Sequence, residues 1–205
     1  MTALQVYRDD GPLAGILGRH LGSALTTAPV ALTVLGAVPL AVLLAVDDTR
    51  PAALPALVAV AIFVAAGAAG AGRPDAGRLA WSVPPLLRLV EYGVLIRLTV
   101  LAGRSAMPLC FALLGVLAFH HYDVVYRLRH QRIAPPGWVS AVGGGWDGRL
   151  IVAFALAAVG GLEVGLLIAA IALGVVFVAE SALSWLRFAS GTRSAAYDDD
   201  DEGDA

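Results

Sequence analysis

Lysine and asparagine are absent from the 205 residues, cysteine occurs once, and charged residues make up only 15%. Each absence excludes something. With no lysine, every one of the 14 basic residues is an arginine. The lone Cys110 cannot form an internal disulfide, and its apolar surroundings read as a buried, inert thiol. So little charge beside 59% hydrophobic residues, with a mean hydropathy of +0.78, excludes an ordinary soluble domain. One core of this size could not enclose that much apolar surface, whereas a bilayer solvates it. The arginines do not cluster on a solvated domain, which excludes nucleic-acid binding. No GxSxG, Walker loop or zinc-ligand spacing is present, which leaves any cofactor unknown. What is abundant, Ala, Gly, Val and Leu, points to a GC-rich genome such as an actinobacterium's.

The expected fold is all-α, a polytopic bundle of about six transmembrane helices with both termini cytoplasmic. A helix needs roughly 20 apolar residues to cross the hydrocarbon with its backbone groups satisfied internally. Thr26–Val46, Ala52–Ala71, Leu79–Leu101 and Ala106–Tyr126 give four spans, the third interrupted by Pro84, Pro85, Arg88, Glu91 and Arg97. Leu150–Ala179 holds one charge, Glu163, and is too long for one ordinary helix. Gly160-Gly161 reads as a turn, dividing it into a fifth and sixth helix. One long tilted helix is the alternative, and it would move the C-terminus across the membrane. With six spans the flanking arginines divide ten against two, and with five, eight against four. The positive-inside bias favours six and places the richer side in the cytoplasm of a bacterial plasma membrane. The start is too polar for a secretory signal, so the first span serves as its own insertion signal.

Three domains follow. Residues 1–25 form a cytoplasmic or interfacial segment in which Leu13, Ile16, Leu17 and Leu21 suggest an amphipathic helix. Residues 26–188 form the transmembrane domain. Residues 189–205 form an acidic, disordered tail with six of the 16 acids. The Ala- and Gly-rich stretches, as in residues 65–72, are expected to let helix backbones approach closely.

Ionisable side chains inside hydrocarbon are costly, roughly 2.5–3.5 kcal/mol each, and so mark function or pairing. Arg88 and Glu91, with Tyr92, share a stripe on the third helix. His120, Asp123, Arg127 and His130 form another on the fourth, and Glu180, Ser184 and Arg187 a third on the sixth. At 1.5 Å per residue Arg88, His120 and Glu180 lie about 10–14 Å inside the cytoplasmic face. Arg129, Arg132, Trp146, Asp147 and Arg149 adjoin them in the loop that follows. The functional reading is a cytoplasmic cavity lined by arginines suited to phosphate, in which Arg88, Glu91, Tyr92, Arg127, Arg129, His130, Trp146, Asp147 and Arg149 bind substrate. His120, Asp123 and Glu180 are the acid–base candidates. Interhelical ion pairing is the plainer alternative. Pro84-Pro85 would loosen the backbone beside the cavity. Gly143-Gly144-Gly145 either cradles a phosphate or is a flexible interfacial loop. Adjacent His120 and His121 point about 100° apart and make a poor metal pair.

The segments YRDDGPL (7–13), FHHYDVVYRLRHQ (119–131) and GGGWDGRL (143–150) resemble an actinobacterial integral-membrane domain of unknown function. That family is often fused to nucleotidyltransferase-like and CDP-alcohol phosphotransferase domains. The resemblance runs from about Leu4 to Phe188. It implies association with phospholipid or polar-lipid synthesis, and a CDP-alcohol phosphotransferase and membrane lipids as partners. The chain does not itself carry that enzyme's D-G-x2-A-R-x8-G-x3-D-x3-D array. After Asp10-Gly11, Gly15 stands where arginine is required, and after Asp147-Gly148, Ile151 and Val152 occupy the A-R positions. Three functions follow as expectations: an accessory domain in lipid head-group synthesis, a membrane enzyme on a phosphate-bearing lipid or nucleotide-activated substrate, or a small transporter.

Overall fold

Proline and glycine punctuate the chain, and in the computed structural model they mark where its helices begin and end. Residues 3–22, 28–46, 51, 53–71 and 79–189 are described. These residues contain helices and no strand: α1 (Ala3–Arg8), α2 (Pro12–Leu21), α3 (Pro29–Ala45), α4 (Leu54–Ala71), α5 (Val83–Ala102), α6 (Met107–His130), α7 (Gly137–Gly143), α8 (Gly145–Ala158) and α9 (Leu162–Ala189). The acidic tail after Ala189 lies outside the described residues, as do Asp47, Asp48, Arg50, Arg73 and Arg78.

α2, α3, α5 and α6 each carry proline in their first turn. There the missing N–H has no intrahelical partner to lose, and the fixed φ suits the helix. This corrects the expectation for Pro84-Pro85. They do not interrupt α5 but lie in its first turn.

The ambiguous stretch Leu150–Ala179 is two helices. Gly160 adopts φ +74°. Its N–H donates to Ala157 O at 3.3 Å, and the Gly161 N–H donates to Leu156 O at 2.8 Å. That paired pattern closes the end of α8, and glycine supplies the left-handed residue it requires.

Four stretches among the described residues are long and apolar enough to cross a membrane: Leu54–Ala71, Arg104–His130, Gly137–Ala158 and Leu162–Ala189. α3 is apolar but shorter, and α5 carries Arg88, Glu91 and Arg97. Large apolar side chains such as Leu35, Val42, Leu89, Ile168, Ile171 and Val175 point outward. An aqueous surface of this kind would be costly, whereas lipid accepts it.

Small residues set the packing. α3 lies along α4 where a Cβ on Gly36 would meet Ala66 Cβ at 2.6 Å and Phe63 Cα at 3.3 Å. α2 lies on α4 through buried Ala14 and Gly18, leaving Leu13 and Ile16 exposed. Its outward face is therefore apolar beside Arg19 and His20, the character of a helix lying in a membrane interface. α5 packs on α8 and α6 on α9. Phe63, Leu87, Leu98, Leu117, Trp146, Leu150 and Phe177 fill the interior.

Candidate functional site

The N-terminal segment brings its charges into the bundle. Arg8 and Asp9 are buried, and Asp9 takes a left-handed φ of 51°. Aspartate tolerates that region better than most residues, but the conformation persists only where its surroundings hold it. Here they do. Asp9 Oδ2 accepts from Arg149 Nη2 at 2.8 Å and lies 3.3 Å from His121 Nε2 and 3.7 Å from Arg88 Nη2. Burial alone would push the Asp9 carboxyl up. The Arg149 guanidinium, the His121 hydrogen bond and Arg88 outweigh that and hold it well below the usual carboxylate range.

Glu91 completes a closed ring of ions. Its Oε1 accepts from Arg149 Nε, and its Oε2 accepts from Arg88 Nη1 at 3.1 Å. Two guanidinium and two carboxylate groups thus alternate around the ring and their charges cancel. Arg88 Nη2 also donates to the carbonyls of Arg8 at 2.8 Å and Tyr7 at 3.2 Å, and Arg149 Nη1 to Gly143 O at 3.1 Å. Tyr92 reaches the ring through His121, its hydroxyl 2.9 Å from Nδ1.

A second set of contacts fastens the same segment to the start of α8. Gly11 N and Ala14 N donate to the two Asp147 carboxylate oxygens at 2.6 and 2.8 Å. Asp147 therefore supplies from afar an acceptor for the orphan N–H groups opening α2. Trp146 Nε1 donates to Asp10 Oδ1 at 2.8 Å, while Arg8 Nε donates to Asp10 Oδ2 at 2.8 Å and Arg8 Nη2 to Gly67 O at 2.8 Å. Gly144 and Gly145 have φ +71° and +60°. A Cβ on Gly145 would overlap the backbone of Gly11, and one on Gly11 would overlap Gly144 O. The triple glycine thus receives the Asp10–Gly11 backbone.

Asp123, Arg127 and Glu180 form a separate group between α6 and α9. Arg127 grips Glu180 in a bidentate pair at 2.9 and 2.8 Å. Its Nε stands 2.9 Å from Asp123 Oδ2 as an ion pair without hydrogen-bond alignment. Asp123 Oδ1 accepts from Ser181 Oγ at 2.9 Å and Trp185 Nε1 at 3.2 Å. Glu91 shares no partner with this group, so the three acids expected in one pocket are divided between two sites. Arg129 and His130 are exposed, with the His130 ring tilted 39° against that of Tyr126 at 4.2 Å between centroids.

A cavity of about 1120 Å³ lies beside the ion ring. The N-terminal segment gives one wall, including Tyr7, Asp9 and Asp10. Trp81, Pro84, Pro85 and Arg88 come from the start of α5 and the turn before it, His120, His121, Val124 and Val125 from α6, and the remainder mainly from residues 133–137 and Ser140. Among the described residues, Arg88 is the one arginine that lines it. Arg127 and Arg149 are drawn away into buried ion pairs, so the wall is not lined with arginines as expected. Among the described residues, no three His, Cys, Asp or Glu side chains are grouped to hold a metal.

A family model matches residues 1–205, the whole of the sequence. The chain belongs to the family of unknown function DUF5941. No curated protein and no solved structure matches it. Family membership therefore assigns no reaction, and the geometry has to carry the functional reading.

Asp9, Asp10, Arg8 and His121 went unrecognised as site residues in the sequence. The available signal was the Arg8-Asp9-Asp10 run at the edge of an interfacial segment, since three adjacent charges there need partners. His121, a poor metal partner for His120, instead joins Asp9 to Tyr92.

Proposed function

We propose that this chain is a multi-pass membrane domain that serves as an accessory or partner in polar-lipid head-group synthesis, holding the polar end of an amphiphile in the cavity beside the ion ring. In this reading six helices, α3, α4, α5, α6, α8 and α9, cross the membrane. The end bearing Arg8, Arg127, Arg129, Arg132 and Arg149 faces the cytoplasm.

One observation carries the reading. A cavity large enough for a small ligand is lined both by polar side chains, Asp9, Asp10, Arg88, His120 and His121, and by apolar ones, Trp81, Pro84, Pro85, Val124 and Val125. That mixture of polar and apolar surface suits a molecule with a head and a chain. The lipid-synthesis role comes from the family resemblance noted in the sequence.

The test compares the polar lipids of a deletion strain with those of strains rescued by the intact gene or by its Arg88→Met variant. Altered head-group composition restored only by the intact gene is expected. Unchanged lipids, with no accumulated intermediate, would contradict the proposal.

A second reading, a membrane enzyme, draws on His120. Asp123 and Glu180 are committed to Arg127, but His120 faces the cavity and is chemically able to transfer a proton. If His120→Phe binds lipid as the wild type does yet accumulates an unconverted precursor in cells, the enzyme reading displaces the accessory one.

A further inference from the structure

His120 is the buried polar group on the cavity wall that the fold leaves unused. It is only 4% exposed, and none of the described residues hydrogen-bonds to it. Its ring is fixed by stacking on Phe177, with centroids 3.9 Å apart and planes 15° apart. It is therefore oriented from behind while its ring nitrogens have no protein partner. Its ring nitrogens are thus available to hydrogen-bond a ligand in the cavity that His120 lines.

The remaining wall says what kind of ligand. A phosphate would need an unpaired cation, but Arg88 already faces the Glu91 and Asp9 carboxylates, and among the described residues no other arginine lines the cavity. It would also face the carboxylates of Asp9 and Asp10. An ammonium group gains little from those carboxylates, because Arg149 and Arg88 neutralise Asp9 and Arg8 pairs with Asp10. A hydroxyl suits the wall. It can donate to one ring nitrogen or accept from the other, whichever is protonated, and it brings no charge to be neutralised. The apolar lining residues Trp81, Pro84, Pro85, Val124 and Val125 accommodate the chain attached to it.

We propose that the cavity binds an uncharged, hydroxyl-bearing lipid head group, with His120 as the hydrogen-bonding residue that recognises it. This rests on the amphiphile reading above and narrows its chemistry.

The experiment uses the full-length chain in detergent, with native mass spectrometry and the fluorescence of cavity-lining Trp81 as readouts. Dioctanoylglycerol, dioctanoyl phosphatidate and dodecylamine serve as neutral, anionic and cationic probes. Wild type is compared with His120→Phe, which keeps a ring against Phe177, and with His120→Gln, which keeps a donor and an acceptor. The expected result is saturable binding of dioctanoylglycerol at least tenfold tighter than of the other two. His120→Phe should weaken it tenfold or more at unchanged melting temperature, with His120→Gln in between.

Tighter binding of phosphatidate or dodecylamine would overturn the uncharged-head assignment while leaving an amphiphile site. Equal binding of dioctanoylglycerol by wild type and a folded His120→Phe would overturn the role of His120. Binding of none of the three would overturn the amphiphile reading itself. If His120→Phe does not fold, the probe ranking on wild type and the His120→Gln affinity still decide.

Discussion

Arg149 joins Asp9 to Glu91, and neither carboxylate tolerates burial without it. Arg149→Met would leave Glu91 and Asp9 with Arg88 alone between them. Breaking a buried ion pair from one side costs about 3–5 kcal/mol, because the partner charge stays desolvated. The expected outcome is a lowered melting temperature or loss of folded protein, measured by thermal unfolding in detergent. A melting temperature within a degree of wild type would show the ring to be incidental.

Asp9 adds a pH dependence whose sign is fixed. Its folded pKa lies below its unfolded value, so its stabilisation is fully present above about pH 4 and is lost as pH falls through the folded value. The melting-temperature gap between wild type and Asp9→Asn should be constant from about pH 5 to 7 and narrow below about pH 4. A gap that widens in acid would contradict this.

Residue identity alone exposed part of the network. Arg88 and Glu91 stood out because charge in an apolar helix needs a partner, and Arg149 because it adjoins them from the loop that follows. Asp9 and Asp10 did not: the Arg8-Asp9-Asp10 run signals a need for partners, but not that a segment outside a span folds back into the bundle to find them. That depends on a contact between residues 11 and 145, which no local pattern encodes.

At the scale of elements, glycine geometry decides two joints. Gly160→Ala puts a Cβ on a left-handed residue at the end of α8 and should cost about 1 kcal/mol, visible as a modest fall in melting temperature. Gly145→Ala is more severe, because its Cβ would overlap the Gly11 backbone, whereas Gly148→Ala meets nothing within 4 Å. Hydrogen exchange should rise across residues 3–22 in Gly145→Ala and stay at the wild-type level in Gly148→Ala. Equal protection in both would remove the triple glycine as the docking surface.

The α8–α9 break was readable from the Gly160-Gly161 pair, since left-handed helix ends favour glycine. The expected convergence of α5, α6 and α9 was only half legible. Stripe arguments show which residues share a face of one helix, but not which neighbour that face meets. α5 turns Glu91 toward α8, whereas α6 turns Asp123 and Arg127 toward α9.

For the whole molecule, apolar composition signalled the membrane before any helix was placed, and the outward side chains of α9 agree with it. The proposed orientation makes its own prediction. In a Cys110→Ala background, exposed Ser105→Cys at one end of α6 should react with an impermeant maleimide on intact cells. Exposed Ala141→Cys, near the other end, should react only after permeabilisation. The reverse pattern would invert the topology.

The most direct test of the central claim, that the N-terminal segment and the starts of α5 and α7 join α6 around an amphiphile's head, is photolabelling in native membranes. The probe is a diacylglycerol carrying a diazirine at the glycerol end, and labelled residues are mapped by mass spectrometry. The account predicts labels at residues 4–10, 81–88 and 120–125, suppressed by excess dioctanoylglycerol. Labels confined to the outer faces of α3 and α9, and insensitive to competitor, would contradict it.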